Sequence, residues 1–142
     1  MRVTKEADYA LRIMWYLSGV LKNNADKKII DAGTMSDSLC IPPRFTLKIL
    51  RKLTKEGFIK SYKGMNGGYA LAGLPDKITM RKIIESVDGP VEISRCLNDE
   101  YECTRVGNQK DDCAYHRVFE DINKKIAAEL DKITFDMLLD KN

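Results

Sequence analysis

Two adjacent prolines, Pro42 and Pro43, set the strongest single limit on how this 142-residue chain can fold. Proline lacks a backbone donor and fixes φ, so it is expelled from helix interiors yet tolerated in a first turn. The pair ends whatever precedes it and lets a new helix start at Pro43. Before it, Ala32, Met35 and Leu39 recur at helical spacing and predict a short helix over residues 31–39. After it, Ile49, Leu50 and Leu53 share one side, while Arg44, Lys48, Arg51 or Lys52, and Lys55 recur on another. That pattern predicts an amphipathic helix with a core face and a basic face, ending near Gly57.

The next segment, FIKSYKGMNGGYALA, has two short runs rich in β-branched and aromatic residues around residues 63–68, which include three glycines. It predicts a β-hairpin with a flexible tip. Short helix, turn, basic helix and hairpin follow one another in the order of a winged helix-turn-helix, whose second helix enters the DNA major groove. The charge agrees with this order. Residues 42–63 hold seven basic side chains against one acid, a local charge of +6 in a chain whose net charge is +3. The remainder is therefore slightly acidic, and the basic segment reads as a polyanion-binding surface.

Helical periodicity recurs elsewhere. Ala7, Ala10, Leu11, Met14, Leu17 and Leu21 predict a helix over 4–21 capped by Thr4, and a second stripe of Tyr9, Ile13, Tyr16 and Val20 makes it apolar on more than one side. Such a helix is expected between two surfaces, one of which a second subunit could supply. Residues 23–26 read as a polar turn and 28–30 as a short extended piece. Thr79 is expected to cap a helix over 78–87 that buries Met80, Ile83, Ile84 and Val87 and stops at Asp88, Gly89 and Pro90. Over 114–132, Tyr115, Val118, Phe119, Ile122, Ile126 and Leu130 form a long apolar stripe that needs a partner, and Thr134 can cap a last short helix. The expected fold class is mainly α with one small β-hairpin.

The length suits one compact unit, and 44% hydrophobic with 32% charged residues suits a folded core over a disordered chain. No stretch approaches the roughly 18–20 apolar residues of a membrane span. The opening MRVTKEADYA is too charged for a signal peptide. A cytoplasmic protein with no membrane partner is expected.

In a reducing compartment the four cysteines are expected as free thiols or ligands. Cys96, Cys103 and Cys113 are spaced C-x6-C-x9-C, and the only histidine, His116, follows as C-x2-H. Thiolates are soft donors suited to iron-sulfur clusters and zinc, and one histidine or carboxylate ligand leaves a more labile corner, as a sensor needs. The spacing is looser than the paired C-x2-C arms of zinc motifs, which puts iron-sulfur ahead of zinc. If Cys113 and His116 share the first turn of the long helix, they point to the same side. Cys40, just before the basic helix, is expected as a small core residue. Pairing Cys113 with His116 for catalysis lacks an orienting residue and a pocket, and NGGY lacks the G-x-G-x-x-G pattern. No enzyme is expected.

The opening MRVTKEADYALR, the stretch IPPRFTLKILRKLTKEGFIKSYKGMNGGYAL, ITMRKIIESVDGP and the three cysteines that follow together resemble the Rrf-type bacterial repressors, the IscR-, NsrR- and CymR-like regulators, over nearly the whole chain. The resemblance implies a homodimeric winged-helix repressor whose long C-terminal helices cross between subunits and which binds a double-stranded DNA operator. It implies that Cys96, Cys103 and Cys113 hold an iron-sulfur cluster that senses redox state, nitric oxide or cluster status. For the fourth ligand it offers His116, as in a 2Fe-2S site of the IscR type, or Asp8 within ADYALR, as in a 4Fe-4S site of the NsrR type completed from the other subunit; His116 is preferred. It implies DNA contacts from Pro42, Arg44, Phe45 and Lys48 at the start of the recognition helix and from Lys63 at the hairpin tip. Arg44 and Lys48 suit guanine or phosphate, Phe45 is equally a core candidate, and Arg51, Lys52 and Lys55 read as backbone contacts or solvated charge. The chain then divides into a DNA-binding winged helix-turn-helix over 1–76, its first helix also at the dimer interface, and a cluster-binding loop with dimerisation helices over 77–142. Two other readings stay open: a regulator sensing by cysteine oxidation or zinc without a cluster, and a zinc-stabilised interaction module.

Overall fold

The computed structural model describes residues 2–23 and 28–141. It contains helices α1 (Lys5–Asn23), α2 (Ala32–Leu39), α3 (Pro43–Lys55), α4 (Met80–Asp88), α5 (Ala114–Lys132) and α6 (Phe135–Leu139), with strands β1 (Ile59–Tyr62) and β2 (Gly68–Leu71) between α3 and α4. The turn expected over 23–26 lies outside the described residues except for Asn23, which instead closes α1.

α1 begins where the sequence places its cap, with the Ala7 amide donating to Thr4 Oγ1 at 3.2 Å. It is the central element, burying Ala7, Tyr9, Ala10, Ile13, Met14 and Leu17. α2 is capped by Asp31, whose carboxylate accepts the Thr34 amide at 2.9 Å. It ends at Cys40, which takes the left-handed conformation with φ +52°. The turn to α3 is stitched at Ser36, whose carbonyl accepts the Ile41 amide at 3.0 Å and whose hydroxyl donates to the Ile41 carbonyl at 2.5 Å. α3 starts at Pro43, as the proline pair requires, and buries Thr46, Ile49, Leu50 and Leu53.

The hairpin pairs Ile59 with Leu71 and Tyr62 with Gly68, and Ile30 joins its outer edge by an antiparallel bridge to Tyr69. The extended piece expected at 28–30 is thereby docked. Gly68 makes this approach feasible: at φ +153°, a Cβ there would lie 2.4 Å from the Ile30 carbonyl oxygen.

α4 begins at Met80, where the Thr79 cap places it, and Ile78, which the expected span included, is used elsewhere. Its carbonyl accepts the Phe135 amide at 3.1 Å, and the Met80 amide donates to Ile133 at 2.8 Å. Thr79 and Thr134, each capping its own helix, thus form one bridge. This brings α6 back onto α1 and buries Phe135 completely in a core shared by α1, α2, α3, the hairpin and α4. α5 stands apart from that core and buries only Ala127. No described helix is long and apolar enough to cross a membrane.

Candidate nucleic-acid interface and cysteine loop

The outer side of α3 repeats Arg44, Lys48, Arg51 and Lys55 at intervals of three and four residues, so they form one exposed row. Pro42 caps this helix from outside, also exposed. Phe45 is neither fully core nor free: it is 38% exposed, and its ring meets Tyr9 edge-on at 6.0 Å between centroids. Lys63 is exposed where the hairpin turns, beside a fully exposed Met65.

Two lysines of α3 are tied back to the protein. Lys48 Nζ pairs with Glu6 at the start of α1, and Lys52 Nζ donates to the Val87 carbonyl at 2.8 Å. The Lys48 hydrogen bond holds the Glu6 carboxyl below its ordinary value, helped by the charges of Lys48 and Lys52 and opposed by desolvation. Leu47 is an apolar side chain left exposed within the basic row. The sequence reading passed over it, although its position off the Thr46, Ile49, Leu50 and Leu53 stripe was a usable sign.

The cysteine loop runs from α4 to α5 through two single helical turns, Arg95–Leu97 and Lys110–Asp112. Cys96 lies in the first, its sulfur 3.3 Å from Ser94 Oγ. Cys103 begins a tight turn closed by the Gly107 amide donating to the Cys103 carbonyl at 2.7 Å. The backbone N–H of Arg105, and then that of Val106, point at the Cys103 sulfur and hold its thiol below the ordinary value, aided by the charges of Arg105 and Lys110. The Arg105 guanidinium also reaches the Cys113 sulfur at 4.0 Å. Lys110 braces the turn by donating to the Asn98 carbonyl at 2.6 Å.

Cys113 is the residue that caps α5 and so lies just before the first turn, where the sequence suggested it would lie inside; His116 is in that turn. His116 Nδ1 is buried with no hydrogen-bond partner among the described residues. Asp8 is engaged on α1 with Arg12 at 2.6 Å. By donor type, by the N–H groups around Cys103 and by the orphaned imidazole nitrogen, these residues suit a soft metal centre. They are not gathered around one point: among the described residues no three His, Cys, Asp or Glu side chains converge closely enough to hold a metal ion. Cys40 is a correction. It was expected in the core, and the left-handed cap of α2 turns it to the surface.

The profile of the Rrf2 family, described as an iron-dependent transcriptional regulator, matches residues 3–141. The chain belongs to the Rrf2 family. It is 28% identical over 142 residues to the HTH-type transcriptional regulator IscR of Aliivibrio salmonicida, spanning 100% of this chain and 79% of that one. To the HTH-type transcriptional regulator NsrR of Bacillus licheniformis it is 27% identical over 100 residues, 70% of this chain and 67% of that one. The solved structure of CymR, the global cysteine regulator of B. subtilis, matches with a TM-score of 0.78 at 22% identity, covering 100% of this chain and 98% of that one. This Rrf2 protein is thus a DNA-binding transcriptional regulator on a winged-helix scaffold, and its relatives are regulators, not enzymes. The mainly helical fold with one hairpin, read from the sequence, is borne out.

Proposed function

We propose that this Rrf2 regulator works as a homodimer on a roughly palindromic operator, and that Cys96, Cys103 and Cys113, with His116 as fourth ligand, hold an iron-sulfur cluster whose state sets operator affinity. The observation that carries this reading is His116 Nδ1, buried and unpartnered three residues after Cys113. A neutral imidazole nitrogen is a good metal ligand and a costly group to bury unpaired. The donors aimed at the sulfurs support it, since they offset thiolate charge and are a lever on cluster potential. When bound, the cluster would supply a centre altered by oxidation, nitrosylation or loss of iron. The chain's own part is to root that loop between α4 and α5, so that a change there reaches the two recognition helices, whose separation must match the operator half-sites. Asp8 of a second subunit is the alternative fourth ligand, and it would have to leave Arg12.

On DNA, Arg44 and Lys48 are assigned to guanine or phosphate, Leu47 to a thymine methyl, Arg51 to the backbone, and Lys63 to the phosphates beside the hairpin. Pro42 sets the start of α3, and Phe45 seats it on Tyr9. The functional division into 1–76 for DNA and 77–142 for the loop and dimer is kept, with the core shared by both.

The test is the visible spectrum of protein purified without oxygen, with iron and acid-labile sulfide assays. Colour with about equal iron and sulfide upholds the reading, and their amount per chain separates 2Fe-2S from 4Fe-4S. A colourless, iron-free protein removes it. Sensing by the thiols alone would then stand; zinc in place of iron and sulfide would point to a zinc-stabilised loop.

A further inference from the structure

Lys52 belongs to the basic segment expected to meet DNA backbone or solvent, yet it points inward. Its ammonium donates to the Val87 carbonyl at 2.8 Å in the last turn of α4, where the negative end of that helix also favours a cation. The chain just beyond Val87 is held in its turn. Glu85 Oε1, itself held by Arg81 Nε at 3.1 Å, accepts the Val91 amide at 3.3 Å. Asn123, midway along α5, uses both ends of its amide: Nδ2 donates to the Val91 carbonyl at 2.7 Å, and Oδ1 accepts the Ile93 amide at 3.0 Å. These bonds are partly shielded from water, where each is stronger and leaving one unmade is costlier.

The contacts form one run from the recognition helix through the end of α4 to α5. Its last anchored residue, Ile93, is three residues before Cys96, and α5 is the helix that Cys113 caps. The first root of the cysteine loop is therefore fastened to the middle of the helix on which its second root, Cys113, is the cap. We propose that Lys52 is a positioning residue for DNA recognition, fixing the seat of α3 against α4, and that Asn123 extends the same brace to the first root of the cysteine loop, so that loop and recognition helix move together. The brace needs no cluster; the claim that the loop is what answers a signal rests on the reading given above.

The test compares Lys52→Met, Lys52→Arg and Asn123→Ala with the parent protein on a duplex that the parent selects from a randomised library, across a range of salt. Removing a lysine that neutralises phosphate lowers the salt slope by about one and weakens all sequences alike. Removing the brace should leave the slope unchanged and lower affinity for the selected duplex by about tenfold relative to unselected DNA, with Lys52→Arg retaining most of it. Amide hydrogen exchange on metal-free protein gives the second readout: Lys52→Met should speed exchange at Val91 and Ile93, neither of which it bonds. A smaller slope, an unaltered affinity, or unaltered exchange at those two amides overturns the proposal. Since no step requires iron, an iron-free protein would remove the cluster reading and leave this one to be judged by the same data.

Discussion

α3 and α5 are both amphipathic, and the fold treats them in opposite ways. α3 sends four side chains, Thr46, Ile49, Leu50 and Leu53, into the shared core and presents mostly cations outward. α5, six residues longer, buries only Ala127 and leaves Tyr115 and Val118 69% and 55% exposed. One helix offers a finished surface for a polyanion, rigid because its other side is packed. The other presents an apolar side that a single chain does not cover, next to a loop held by turns and a few polar braces. On the proposed reading, specific binding draws on the deeply packed half and response to a signal on the shallow half, where local rearrangement costs less.

The widest separation between the two helices should appear in stability. Leu53→Ala removes a fully buried side chain and should cost about 2–5 kcal/mol in urea unfolding, at any protein concentration. Val118→Ala should cost an amount that grows with protein concentration, because its burial would come from a second copy. Equal, concentration-independent losses would erase the contrast.

Charging the α5 stripe should give the next largest effect. Val118→Glu is expected to yield a folded monomer by light scattering, with operator affinity lower by on the order of a hundredfold as the second half-site contact is lost. A dimer that survives this change would place the subunit contact elsewhere.

Arg44→Ala probes the outer row of α3 alone. It should weaken operator binding by about 1–3 kcal/mol, read in a gel-shift titration, with the unfolding midpoint unmoved. An unchanged affinity would deny Arg44 its DNA role and shift the reading to Arg51 and Lys63.

Much of this was readable from local chemistry. Pro43 as a helix start, Thr79 and Thr134 as caps, the hairpin and the orphan stripe of α5 all follow from rules that operate within a few residues. Most of what was not readable involves partners far along the chain. Ile78, given to α4 by its periodicity, lies outside the Thr79 cap because it bonds Phe135. The Glu6 partner of Lys48 and the Val87 partner of Lys52 lie 42 and 35 residues away, where no local pattern marks them. Cys40 looked like core because sequence carries no direct mark of a left-handed cap at a residue other than glycine or asparagine. The cysteine loop was legible in its residue types, whereas the donors around the Cys103 sulfur depend on how the turn at Gly107 closes.

The smallest expected effect bears on that hidden pairing. Glu6 holds Lys48 within the row that should meet DNA, so in the free protein one cation of the surface is already neutralised. The Lys48 hydrogen bond, more than the charges nearby, keeps the Glu6 carboxyl below its ordinary value of 4.5. Because the folded-state value is lowered, the pair's stabilisation is fully present above about pH 4.5 and lost as pH falls through the folded value. For a largely exposed pair it is worth under about 1 kcal/mol. Acidification from pH 7 to 6 leaves Glu6 ionised and should not release Lys48. Glu6→Gln should release it at neutral pH, raising affinity about two- to fivefold and steepening the salt slope by roughly the 0.9 expected for one added phosphate contact. An unchanged slope with unchanged affinity would mean that Lys48 does not meet phosphate and that its pairing, like that of Lys52, serves only to seat the recognition helix.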